Sequence, residues 1–95
     1  ATLTVNGVNT NVTYNGNAQT NSAASIVGRQ GSDDFTISGY GTGTNASNTA
    51  YADNLAVSPV TGTLASNYNV VYNNGGLTIG KANLTVNGVN TNVNY

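Results

Sequence analysis

Apolar and polar residues alternate along much of this chain, which is the spacing of a strand buried on one face. In Thr2-Leu3-Thr4-Val5-Asn6, Leu3 and Val5 share one face while Thr2, Thr4 and Asn6 share the other. The same reading predicts strands at Val12–Tyr14, Phe35–Ser38, Leu55–Val57, Tyr68–Tyr72 and Leu77–Ile79, residues that suit a half-buried pleated surface. Turn signals fall between them at Asn6-Gly7, Asn15-Gly16, Gly31-Ser32-Asp33, Gly41-Thr42-Gly43 and Asn73-Asn74-Gly75-Gly76. Asn-Gly between alternating segments predicts a hairpin, because both residues tolerate positive φ, so Gly7 and Gly16 are read as turn glycines. Ser47–Asn54 is the one segment with helical character, having a Ser or Asn cap and two alanines but no apolar stripe. The fold class predicted is mainly β: a small, single-domain antiparallel fold with at most one short helix. An immunoglobulin-like sandwich and a β-grasp sheet both fit, and a helix at Ser47–Asn54 favours the second.

The chain also repeats itself. Residues 1–14 read ATLTVNGVNTNVTY and residues 82–95 read ANLTVNGVNTNVNY, differing only at Thr2/Asn83 and Thr13/Asn94. The offset is 82 − 1 = 81 residues, so residues 1–81 are read as one complete repeat domain and 82–95 as the first strands of the next copy. The expectation is a longer parent protein carrying a tandem array. Only Gly80-Lys81-Ala82 separates the predicted strand Leu77–Ile79 from the strand that begins the next copy. A flexible tether needs several permissive residues, so this junction predicts restricted motion between neighbours. The junction set is Leu77, Ile79, Gly80, Lys81, Ala82, Leu84 and Val86.

Composition narrows the function. Gly, Asn, Thr and Ser number 12, 18, 14 and 7, or 51 of 95 residues, while the charged residues are only Asp33, Asp34, Asp53, Arg29 and Lys81. Two isolated bases do not neutralise a run of phosphates, which argues against nucleic-acid binding. No apolar run approaches the roughly 20 residues of a membrane-spanning helix. His, Cys, Met, Trp and Glu are all absent, which removes the usual ligands for zinc, haem and iron–sulfur groups. The same absences remove most acid–base and nucleophilic catalysts, so no enzyme and no cofactor is expected.

Three segments carry a further pattern: Thr13-Tyr14-Asn15-Gly16, then Gly31 to Tyr40 (GSDDFTISGY), then Ser66 to Ala82 (SNYNVVYNNGGLTIGKA). Together they resemble the YDG/MBG-type repeats found in tandem in very large bacterial surface adhesins of the filamentous haemagglutinin type. The resemblance covers essentially the whole 81-residue repeat. Asn15 stands where that family's tetrapeptide usually has Asp, and it serves the same turn. The resemblance implies a secreted or cell-surface location on a bacterium, a place in a repetitive stalk and no catalytic residues.

The function expected is therefore a structural extender repeat of a cell-surface or biofilm-matrix adhesin, stacked as a stiff spacer whose partners are its neighbouring repeats. Two alternatives belong to other classes. One is a weak module binding glycan or matrix polysaccharide by avidity, with Tyr40 and Tyr51, beside Gly-rich turns, as ligand candidates. The other is a self-associating filament or cell–cell adhesion subunit, because strand edges with little charge invite pairing. Minor candidates are calcium at Asp33, Asp34 and Asp53, an isopeptide crosslink at Lys81, and glycosylation at Asn11, Asn45 and Asn83. Each is weighed against an ordinary turn or surface role.

Overall fold

The computed structural model describes residues 1–94. Ten strands follow one another: β1 (Thr2–Gly7), β2 (Asn9–Thr13), β3 (Gln19–Thr20), β4 (Ala24–Val27), β5 (Phe35–Ser38), β6 (Thr42–Gly43), β7 (Tyr51–Ala52), β8 (Ala56–Pro59), β9 (Asn69–Asn73) and β10 (Gly76–Gly80). A single 3₁₀ turn, Ala65–Asn67, leads into β9. The strands form small open sheets in the orders β4-β1-β9, β2-β10-β7, β3-β6 and β5-β8.

Two long runs organise the molecule. The first is β1 and β2, interrupted only at Val8; the second is β9 and β10, interrupted at Asn74 and Gly75. They lie side by side and parallel, Thr2 to Asn6 pairing with Asn69 to Asn73 and Asn9 to Thr13 with Gly76 to Gly80. Both runs step from one sheet into the other at the same level. Around them the pairing is antiparallel: β4 on β1, β7 on β10, β3 on β6 and β5 on β8.

The alternation in β1 does what its spacing predicts, since Leu3 and Val5 are fully buried. Leu3 packs with Phe35 and Tyr68, flanked by Ile26, Val57 and Val70, so the β5-β8 face covers the β4-β1-β9 sheet. Phe35 and Tyr68 meet edge to face, with ring centroids 5.3 Å apart at 86°, the arrangement that ring quadrupoles favour. Beyond the step, Leu77 and Ile79 of β10 form the buried face.

The principal axes measure 87 × 22 × 15 Å. The twelve-residue paired runs span about 40 Å at roughly 3.3 Å per residue, less than half of the long axis. Residues 82–94 supply the rest: they leave from the Gly80 end, join no strand and are exposed throughout.

Three expectations are corrected. The first and last strand runs are parallel, so the sheets are mixed rather than antiparallel. Asn6-Gly7 makes no hairpin, because β1 runs on through Val8 into β2, and Gly7 has no positive φ. Asn73 to Gly76 likewise carries the second run forward from β9 into β10. The expectation of at most one short helix stands, since Ser47–Asn54 forms none: Tyr51 and Ala52 pair with Leu77 and Gly76 as β7, and the Ser47 N–H is drawn to the Ile79 carbonyl at 3.0 Å. Tertiary hydrogen bonds thus override a weak local helical preference.

Candidate functional site

The ladder between the two long runs is closed at both ends. The Asn69 N–H donates to the Ala1 carbonyl at 2.8 Å and the terminal amine to the Asn67 carbonyl at 3.0 Å. At the far end the Tyr14 N–H donates to the Gly80 carbonyl at 2.8 Å. Between them Asn73 donates its side-chain amide to Asn6 Oδ1 at 2.9 Å, across one rung. The repeat therefore begins at one end of its long axis and finishes at the other. Tension applied at residues 1 and 80 pulls two adjacent parallel strands in opposite directions, so it loads their hydrogen bonds together in shear rather than one after another.

A buried polar cluster sits where both runs change sheets. Asp53 and Asn21 are 4% and 2% exposed. Asp53 Oδ1 accepts the Gly41 N–H at 2.6 Å, and both its carboxyl oxygens lie 3.3 Å from Asn21 Nδ2. That same amide donates to the Val8 carbonyl at 2.7 Å, while Asn21 Oδ1 accepts from the Thr10 hydroxyl at 3.0 Å. The Asp53 N–H donates to the Gly75 carbonyl at 2.9 Å. Val8 and Gly75 are the steps in the two runs, so one cluster fastens both to β3, β6 and β7. Polar groups are costly to bury unless paired, and among the described residues no buried side-chain polar atom lacks a partner. Gly7 is part of this packing. A Cβ there would lie 2.4 Å from the Gly75 nitrogen and 2.9 Å from Asp53 Oδ2, so close backbone approach, rather than a turn, requires glycine.

The predicted junction set divides in two. Leu77 and Ile79 are buried within the domain and Gly80 ends β10, whereas Lys81 and Ala82 are exposed. Leu84 and Val86 are 90% and 86% exposed. An open hollow of 470 Å³ lies at this end, lined by Tyr14, Ala46, Lys81, Ala82, Asn83 and Leu84. Gly16 has a φ of +81° and turns the chain after β2. Tyr40 is half-buried, and Tyr51 uses its hydroxyl on the Asn45 carbonyl at 2.8 Å.

The acids have separate duties. Asp34 pairs with Arg29 at 2.9 Å and accepts the Phe35 N–H, while Asp33 accepts the Tyr68 hydroxyl. No group of three potential metal ligands occurs among the described residues. The bond to Asp33, with desolvation adding to it, holds the Tyr68 hydroxyl above the ordinary phenol range, and the Gln30 N–H partly opposes the shift. Sequence reasoning missed Asn21 entirely. Its one distinguishing mark is its level beside the step, which pairing alone reveals.

No helix among the described residues is long and apolar enough to cross a membrane. Against protein-family models, curated proteins and solved structures, the chain has no match.

Proposed function

We propose that this chain is a structural extender repeat of a bacterial cell-surface or biofilm-matrix adhesin, of the YDG/MBG type that its sequence resembles, and that it acts outside the cell as a stiff spacer rather than as an enzyme. The observation that carries the reading is the parallel pairing of the first and last strand runs, which sets the beginning and end of the repeat at opposite ends of a narrow body. Residues 82–95 then begin the next copy, and each copy advances the stalk by about 40 Å at roughly 3.3 Å per strand residue. The buried Asn21–Asp53 cluster braces the middle of each unit, and the three-residue junction passes orientation to the next. Of the two topologies that fit the sequence, packing of β5-β8 over Leu3 supports the sandwich, as does the lack of a helix at Ser47–Asn54.

Small-angle scattering on chains of one, two and four repeats tests this. The expected maximum dimension grows linearly by about 40 Å per copy at the strand rise used above. Growth near the square root of copy number would overturn the stiff-spacer reading. Replacing Gly80-Lys81-Ala82 by a long Gly/Ser linker should leave each domain folded and convert the first behaviour into the second.

A further inference from the structure

We propose that Asn15 is a self-modification site: its side-chain amide condenses with the backbone nitrogen of Gly16, and the resulting ring opens in water to leave a carboxylate at position 15. Asn-Gly, whose second residue has no Cβ to hinder that attack, occurs at Asn6-Gly7, Asn15-Gly16, Asn74-Gly75 and Asn87-Gly88. The fold treats these pairs differently. Ring closure needs the backbone after the asparagine to rotate until the next nitrogen meets Cγ. A pair locked between strands therefore reacts only when the structure opens locally.

Asn6 and Gly7 lie in β1, in register with Ser25 and Ala24, and Asn6 Oδ1 is held by the Asn73 amide at 2.9 Å. Gly7 has the Gly75 backbone against it. Asn74 Oδ1 accepts the Leu55 N–H at 3.1 Å, the Gly75 carbonyl accepts the Asp53 N–H at 2.9 Å, and the Val8 backbone fills the space beside Gly75. Asn87-Gly88 repeats Asn6-Gly7 and takes whatever protection its own copy provides.

Asn15-Gly16 is built otherwise. It sits in the exposed turn between β2 and β3, belongs to no strand, and Gly16 has a φ of +81°. Beyond its chain neighbours, the nearest atom to a Cβ placed on Gly16 is the Tyr14 hydroxyl at 4.0 Å, which leaves room for rotation. The Asn17 N–H donates to Asn15 Oδ1 at 2.9 Å. This bond folds the carboxamide over the Gly16 peptide and sets a donor on the oxygen that becomes negative as the nitrogen adds.

The Gly16 nitrogen, its proton taken by solvent hydroxide, attacks Asn15 Cγ. The new N–Cγ bond replaces the Cγ–Nδ2 bond, and the amide nitrogen leaves as ammonia after taking a proton from water. Water then adds to either carbonyl of the succinimide, giving an aspartyl residue or an isoaspartyl one whose main chain runs through Cβ. The formal net charge goes from −1 to −1 − 1 = −2. The new carboxylate follows Tyr14, which shares the hollow at this end with Lys81. In an array every copy carries the site, so an ageing stalk gains charge beside each junction. That accumulation rests on the extender reading; the reaction itself does not.

The full chain, incubated below its melting transition in mildly alkaline buffer with and without denaturant, provides the test. Conversion at each pair is followed by peptide mass and by fragmentation that separates aspartyl from isoaspartyl products. In denaturant Asn6, Asn15 and Asn74 should convert at similar rates. On folding, Asn15 should keep its rate while Asn6 and Asn74 slow by about tenfold or more, the factor that even a small opening free energy imposes. The folded-chain rate at Asn15 should also rise with pH, because the attacking nitrogen must lose its proton. Folding that slows Asn15 as much as Asn6 would overturn the proposal, as would conversion at Asn6 or Asn74 ahead of Asn15. The scattering series bears only on the spacer reading, so the two fail separately.

Discussion

Residues 1–14 and 82–95 agree at twelve of fourteen positions, yet they are structurally unlike. In the first, Leu3 and Val5 are fully buried within a strand; in the second, Leu84 and Val86 are 90% and 86% exposed and residues 82–94 join no strand. Sequence and local propensity are nearly constant across the pair, so neither accounts for the difference. What differs is company. Residues 1–14 have β4 on one side of β1, β9 on the other, and β10 beside β2. An alternating segment supplies one face of a sheet and cannot bury that face by itself. The repeat is thus a unit of folding whose first strand is only as stable as the strands that receive it.

The widest separation should appear at the leucines. Leu3→Ala removes a fully buried side chain and should cost about 2–5 kcal/mol. Leu84→Ala changes a side chain that packs on little and should stay within about 0.5 kcal/mol. Denaturant unfolding of the two variants reads both values. Extending the chain by one further complete copy gives Leu84 its partners, and Leu84→Ala should then destabilise that second copy as much as Leu3→Ala does the first. If Leu84 stays neutral in the longer chain, the two segments are not equivalent and the tandem reading fails.

The glycines sharpen the contrast with a smaller effect. Gly7→Ala brings a methyl into the Gly75 backbone, where the second run steps past it, and overpacking of this kind costs about 1–3 kcal/mol. Nothing lies within 4 Å of the same position at Gly88, so Gly88→Ala should leave the melting temperature unchanged. A neutral Gly7→Ala would show that the two runs do not approach as closely as the Asn21–Asp53 cluster implies.

These positions also show how much was legible in the sequence. Leu3 and Val5, Phe35–Ser38 and the core of β10 could be read because alternation over three or more residues is itself the physical cause of one-sided burial. In Ala24–Val27 the same signal is weaker, because Ile26 alternates only with small neighbours and Val27 faces solvent. β3, β6 and β7 are two residues each, too short for any period, and exist because a neighbouring strand fixes them. Asn6-Gly7 misled for a different reason. Asn-Gly favours a tight turn, but glycine is equally required where two backbones pass closely, and only the parallel pairing distinguishes the cases. Asn21 was hidden by composition: with 18 asparagines, none stands out as the buried one.

The smallest effect separates the two regions by pH. Residues 82–94 contain no titratable side chain, and the pH-sensitive contact lies in the packed region. There Tyr68 donates its hydroxyl to Asp33 and accepts the Gln30 N–H at 2.9 Å beside Phe35. Its pKa in the folded chain lies above the value near 10 of an unfolded tyrosine. Between the two values the unfolded chain has lost this proton while the folded chain keeps it, so unfolding releases a proton and stability falls as pH rises. The contribution is complete below pH 10 and disappears as pH passes through the folded pKa. Tyr68→Phe removes the hydroxyl, so the variant should be less stable than wild type at pH 8 and lose less on going to pH 11. Chemical denaturation at the two pH values compares them, and the difference between the profiles isolates Tyr68 from Lys81 and the other tyrosines. Equal slopes in wild type and variant would mean that the Asp33 bond does not hold the proton. The packing of Tyr68 over Leu3 would then rest on its ring alone.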